Sequence, residues 1–399
     1  MKKLLGTTLF LLTSNLFAST FFSGEGGGAL NFINNKAFGF DPAMTFSGFL
    51  GGQLTLSNSL SLQGEFSIQT ADLIDNGITK EASSTFRINE ISATFTKTFA
   101  GATHTLTFFK GYNESIGSQK FIQRRLGTEK FSSILTENYL GQNGISVYEV
   151  FGTGGSYSLT LRDKPLALGL VVSRNNENTE DVSQLNADLR AATSTRFFTM
   201  DFLSGLGAPL YTKNSSDEDV VLLIDTLYLH TGIDFLLGNK YSTSSLFCQC
   251  GFEYFPVKSS AKSKSHEWAD TYILIEPRFK FGDARLQLSV FNIPKNKLGK
   301  SLLLEEGVGG DFAAFVETMY KNHRNYSAGL HCMVGFEGRQ FTNIKDGDLK
   351  DCMNMKFCPF TKLEADNGEL NIMLQANVTK FADSKPGAFK LHIGYKKDL

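Results

Sequence analysis

Proline and tryptophan are scarce in this 399-residue chain, at eight and one, and no stretch of 18 apolar residues occurs after the N-terminal segment. The missing apolar run excludes a membrane-spanning helix of ordinary length. Convincing helical periodicity is absent as well, which excludes a helical bundle. Charge of one sign is also lacking: 39 Lys plus Arg stand against 40 Asp plus Glu, so no net field draws nucleic acid or an acidic partner. Cysteine is sparse at five. Cys248 and Cys250, two apart on a strand pattern, share a face, and Cys332 falls on the apolar phase of its own run. Small packing residues, a cross-strand disulfide and a Cys-x-Cys metal site are three readings of them; no further Cys or His shares the spacing that the last would need.

Local catalytic motifs are missing too. There is no Gly-x-Ser-x-Gly elbow and no His-Glu-x-x-His, and the six histidines are scattered. The segment "GEGGGA" at 24–29 fits a loose dinucleotide fingerprint without the strand, helix and βαβ context that it requires. Near the C-terminal side, "NIKDGDLKD" at 343–351 gathers Asp346, Asp348 and Asp351 but lacks the oxygen spacing and closing Glu of a calcium loop, and reads as a polar turn. No cofactor and no metal is implied.

What is abundant is Phe at 36 and Gly at 38. Phe suits strands that face something apolar, and Gly suits turns, bulges and close strand packing. The opening "MKKLLGTTLFLLTSNLFAST" has two lysines, a short Leu-rich stretch and Ala18-Ser19, the three-part pattern of a cleaved secretory signal over residues 1–18. Residues 19–399 then form the exported chain, read as one domain.

The dominant signal is alternation. In "GFLGGQLTLSNSLSLQGEFSIQT" at 48–70, Leu54, Leu56, Leu60, Leu62, Phe66 and Ile68 share one face, while Gln53, Thr55, Gln63 and Glu65 share the other. Similar runs fall at 44–57, 60–70, 83–99, 102–112, 143–151, 156–174, 192–202, 220–236, 241–256, 270–281, 285–293, 309–320, 325–337, 349–362, 367–381 and 387–395, giving about 16 to 18 strands. Connections alternate between tight turns (Asn58-Ser59, 100–102, 237–240, 282–284, 321–324) and long polar loops (71–82, 113–142, 257–269, 294–308, 338–348), a rhythm that fails only between 163 and 219. An apolar sheet face needs a cover. No amphipathic helices are available to supply it, and no fixed repeat suggests a propeller or solenoid. Lipid is the remaining cover, and only a closed barrel satisfies every strand backbone there. The reading is all-β, a transmembrane antiparallel barrel with Glu65, Arg87, Glu253, Glu276, Arg278 and Arg285 inward and Phe66, Phe95, Leu106, Leu288 and Leu374 toward lipid.

The signal segment, the alternating strands and the short-long loop pattern together resemble the bacterial outer-membrane β-barrel proteins, and among them the porin-like channels. The resemblance is architectural and covers nearly all of the exported chain. It implies the outer membrane as location, outer-membrane lipid and small hydrophilic solutes as partners, insertion by the barrel assembly machinery, and a homo-oligomer as one arrangement, trimers being common among such relatives. Many such barrels end in an aromatic residue; here the last one is Tyr395, four residues before the end of "HIGYKKDL". In porin-like barrels the third outer loop often folds into the lumen, so the resemblance implies the same of 113–142. That loop carries Lys120, Arg124, Arg125, Glu129 and Lys130 beside Phe121, Ile122, Leu126, Phe131, Ile134 and Leu135. A lumen lined by Glu65, Arg87 and Arg278 and narrowed by Lys120, Arg124, Arg125 and Glu129 would filter solutes by charge and favour anions. Two other functions fit the same pattern: uptake of hydrophobic substrates such as fatty acids, and a plugged barrel whose outer loops bind a ligand.

Overall fold

The computed structural model describes residues 21–399 apart from 35–40, 75–83, 138–143, 176–182, 214–218, 240–241, 261–262, 264, 299–300, 306, 321–323, 337, 340, 342–343, 345–351, 366, 383–384 and 386. The leader over 1–18 and the aspartates of 343–351 thus lie outside the described residues.

Alternation becomes a closed wall of 18 antiparallel strands. In chain order they are β1 (Phe21–Asn34), β2 (Pro42–Ser57), β3 (Leu60–Thr70), β4 (Ser84–Phe99), β5 (Ala102–Tyr112), β6 (Phe151–Leu161), β7 (Leu166–Asn175), β8 (Gln184–Ser194) and β9 (Phe198–Pro209). A two-stranded hairpin outside the wall, β10 (Tyr211–Lys213) and β11 (Asp219–Leu223), precedes β12 (Leu227–Leu237), β13 (Ser244–Lys258), β14 (Tyr272–Phe281) and β15 (Ala284–Asn292). The wall ends with β16 (Val308–Tyr320), β17 (Arg324–Phe336), β18 (Met353–Ala365), β19 (Gly368–Asn377) and β20 (Phe389–Asp398). Each strand pairs with the next, β9 pairs with β12, and β20 closes on β1 from Glu25↔Asp398 to Ile33↔Lys390. Closure leaves no unpaired strand edge, the condition for a sheet in lipid.

Side chains follow the period of two. Leu50, Phe95, Leu106, Phe108, Leu170, Leu189, Ile275, Leu288, Phe312 and Leu374 are exposed on the outside, and Phe66 lies there too, stacked on Phe86 with ring centroids 6.0 Å apart. So continuous an apolar surface far exceeds the patches a soluble monomer leaves in water. Phe99, Tyr157, Phe281 and Tyr395 ring the short-turn end, and His104 joins them, stacked on Phe99 at 3.8 Å and 2.6 Å from the Tyr157 hydroxyl. Aromatic girdles of this kind mark a membrane interface. Cys248, Cys250 and Cys332 carry free thiols on strands β13 and β17, so no disulfide joins them.

Four sequence expectations change. The run at 143–151 is not a wall strand: its described part pairs instead with the outgoing limb of its own loop, through Ile116 N–H to Tyr148 O at 3.0 Å and Asn113 N–H to Val150 O at 2.9 Å. The run at 192–202 is the junction of β8 and β9, broken at Thr195, whose hydroxyl accepts from the backbone N–H of Phe197 at 3.3 Å and of Phe198 at 3.1 Å. The run at 220–236 is divided between the hairpin and β12. The end of 367–381 turns into a short helix, Val378–Ala382. With 162–165 and 195–197 as tight turns, the short-long rhythm is unbroken round the barrel.

Candidate functional site: the lumen loop and the passage beside it

The connection 113–150 between β5 and β6, the third long one, folds into the barrel. Its helix α1 (Lys120–Leu126) is closed by Gly127, in a left-handed conformation at φ 65° and donating its N–H to Gln123 O. Phe121 and Ile122 are buried against Ala167 of β7 and Ala192 of β8, where small wall residues make room for the helix. Across the lumen the wall is thinned again. A Cβ on Gly251 would lie 2.5 Å from Val147 and 2.4 Å from Thr231 O, and one on Gly232 would lie 3.2 Å from Ile116. The loop therefore sits in a seat that β7, β8, β12 and β13 leave for it. Ile116, Ile122, Leu135, Ile145 and Val147 are all buried, each contributing about 1.5–3 kcal/mol as an upper range. Packing, more than any single ion pair, holds the loop.

Polar anchors fix its register. Lys120 Nζ lies 2.9 Å from Glu65 and 3.5 Å from Glu90. Arg124 donates to Gln63 Oε1 at 2.7 Å and pairs with Glu90 at 3.5 Å and Glu114 at 3.3 Å; Arg125 reaches Glu114 at 3.1 Å. Arg190 of β8 forks onto Asp201 at 2.9 and 2.6 Å, donates to Glu114 O, and lies over the Phe121 ring at 4.3 Å. Burial alone would raise the Glu114 carboxyl, but Arg125, Arg124 and Arg190 outweigh it and hold the group below its ordinary range. On the far wall, Gly117 N–H donates to Asp234 at 3.0 Å, and Ser133 donates to Glu276 at 2.5 Å. Arg278 pairs with Glu276 at 2.7 Å and donates to Phe131 O and Ser132 O, each at 3.0 Å. Tyr148 stacks on His230 at 4.2 Å, and His230 bonds Asp188.

A second inward connection, 293–307, backs the first. Lys297, in helix α2 (Lys295–Leu298), donates to Ser146 O and Val147 O, both at 2.6 Å, and pairs with Glu253 at 2.7 Å. Ser301 donates to Leu135 O at 3.0 Å. Glu305 gathers Lys356 at 3.4 Å, Lys380 at 3.0 Å and Lys390.

The filling reaches most of the way round the wall. The main apolar cluster draws on both inward loops and on wall residues from Phe109 of β5 round to Met373 of β19; Ala29 of β1 and Phe49 of β2 form a separate pair. Between the loop and the β18–β20–β1 wall lies a charged strip: Lys130 with Glu137 at 2.6 Å, Lys362 with Glu364 at 2.9 Å and with Glu369 at 3.0 Å, and Lys396 with Glu25 at 3.2 Å. These side chains keep 19% to 38% exposure, in contrast to 1% and 0% for Arg190 and Asp201. Burial opposes it, yet Lys130, with Lys362 and Lys396 from the facing wall, holds the Glu137 carboxyl below its usual range.

Of the residues expected from sequence, Glu65, Lys120, Arg124 and Arg125 meet in one network and Arg278 anchors the loop from the opposite wall. Glu129 is exposed just after α1, and Arg87 is exposed on β4 opposite Ser67. Glu90, Glu114, Arg190, Asp201, Asp234 and Lys297 were not marked by sequence; charged residues on the polar phase of a strand were the available signal, and Arg190 and Asp201 carried it.

The closed 18-strand wall, outward apolar belt and girdle define a transmembrane β-barrel. No family model and no curated protein matches the sequence. Among solved structures the chain is similar in fold to a Rhodopseudomonas blastica porin mutant, at 10% identity over 96% of this chain and 100% of that one with TM-score 0.45. It is also similar to Wzi of Escherichia coli, an outer-membrane protein involved in group 1 capsule assembly and described as a carbohydrate-binding β-barrel, at 12% identity, 98% and 86% coverage and TM-score 0.47. A third is a loop-deletion mutant of OmpT, an outer-membrane protein of Vibrio cholerae, at 11% identity, 96% and 99% coverage and TM-score 0.41.

Proposed function

We propose that this barrel is a non-catalytic channel for passive diffusion of small hydrophilic solutes, narrowed by the lumen loop to a passage along the β18–β20–β1 wall. The observation that carries this reading is the contrast in charge exposure: buried, compensated charges where the loop docks, and part-exposed charges on the strip. Barrels of this strand number are wide enough to keep an aqueous path beside an inserted loop. The basic residues Lys120, Arg124 and Arg125 are matched by Glu65, Glu90 and Glu114. Their role in this reading is to hold the loop, with a secondary effect on passing ions. The strip itself carries Lys130, Lys362 and Lys396 against Glu25, Glu137, Glu364 and Glu369, so the passage favours neither ion sign strongly. The described apolar residues of the loop pack against the wall, so among the described residues they line no apolar track for a fatty acid.

Swelling of liposomes containing the refolded chain, in neutral sugars of increasing size, tests this. Entry of small sugars with a sharp size limit is expected. A second reading, a closed plug with ligand-binding outer loops, is favoured by the contact between the two inward loops at Ser301 and Leu135, and predicts no swelling in any sugar.

A further inference from the structure

Above the lumen loop, toward the long-loop end, a cavity of about 210 Å³ opens between the loop's return limb and the wall. Its polar lining is mostly hydroxyl and amide, with the carboxylates of Glu149 and Glu253 beside them. Three phenols, Tyr112, Tyr148 and Tyr254, face three amides, Asn175, Gln184 and Asn186. Phenols and amides each both donate and accept hydrogen bonds, which is what a sugar hydroxyl also does. Neither lysine nor arginine lines the cavity, and of its two carboxylates Glu253 is neutralised by Lys297 at 2.7 Å. Phe151, 4.7 Å from Tyr112 ring to ring, adds an apolar flank of the sort that C–H faces of a sugar ring pack on.

Asn186 is 6% exposed, and its Oδ1 has no hydrogen-bond partner among the described residues. A buried acceptor left unsatisfied is costly, and turning this amide toward the cavity to accept from a bound molecule would recover that cost. Gly207, the cross-strand neighbour of Asn186 on β9, leaves room for this amide: a Cβ there would lie 2.3 Å from Gln184 Nε2 and 2.7 Å from Asn186 Oδ1. Tyr148 is held by its stack on His230, so the floor is rigid. The volume corresponds to roughly seven waters of liquid, space for a single hexose ring.

We propose that this cavity is a binding site for a neutral polyhydroxylated solute about one sugar ring in size. It is separate from the charged strip and does not require an open passage. Isothermal titration of the full chain refolded in detergent, with D-glucose, D-galactose, glucosamine and gluconate as probes, tests it independently of conduction. Saturable binding of at least one neutral hexose is expected, with glucosamine and gluconate at least tenfold weaker. Binding should fall at least tenfold in Asn186→Leu and in Gly207→Ala. The second variant displaces only the flexible ends of two amides, so it decides the matter if the first fails to fold by circular dichroism. The site is refuted if neither hexose binds saturably, if glucosamine is preferred, or if the folded variants bind as the parent does.

Discussion

The two sides of the lumen treat charge in opposite ways. On the β3–β14 side, charges meet the loop in closed networks: Arg190 with Asp201, Lys120 with Glu65 and Glu90, and Arg278 with Glu276. On the β18–β20–β1 side, Lys362, Lys396 and their glutamates stay part-exposed and hydrated. Desolvated pairs are costly to break and define position, whereas hydrated ones contribute little to stability and remain available to passing solutes. In the proposed channel, one wall would hold the constriction and the other would line the passage.

The contrast can be broken from the buried side first. Arg190→Ala leaves Asp201 uncompensated and frees Glu114, and is expected to cost about 3–5 kcal/mol, read as a lower urea midpoint and faster proteolysis of the 113–150 segment. Gly251→Leu forces a side chain into the space of Val147 and should cost about 1–3 kcal/mol, with the barrel retained by circular dichroism and the loop released. Acid acts next. Glu114 has a folded pKa below its ordinary 4.5, so the stability it contributes is complete above that value and is lost as pH falls through the lowered one. Loop protection from protease should hold from pH 7 to about 5 and fall below about 4.5; protection that already fades at pH 6 would remove Glu114 from this role. The smallest stability effect belongs to the hydrated wall. Lys362→Gln with Lys396→Gln should lower stability less than Arg190→Ala does yet move the reversal potential in a salt gradient toward cation preference, and an unmoved potential would take the strip out of the passage.

Most of the wall was legible because a strand against lipid has a fixed partner on each face. The strict alternation of β2 and β3 comes from that. The misreadings have the same root. The segment after 143 alternates because it too is extended between unlike faces, but both belong to the interior, with Ile145 and Val147 buried in the lumen. The turn between β8 and β9 carries neither glycine nor proline; the Thr195 hydroxyl makes it, and such a side-chain turn leaves little trace in sequence. The network of Glu65, Lys120, Arg124 and Arg125 was foreseeable in its members but not in its balance, since it is the register of β3, β4 and β5 that sets Glu90 across from Glu65 and Gly111, close to Glu114.

The most direct measurement is single-channel conductance of the parent chain beside a variant in which residues 117–147 are replaced by a short Gly-Ser linker, Ile116 and Tyr148 being already paired. The account predicts discrete steps for the parent and steps several-fold larger for the variant. Equal conductance would show that the loop does not set the passage, and a silent parent beside a conducting variant would show that the loop closes the barrel.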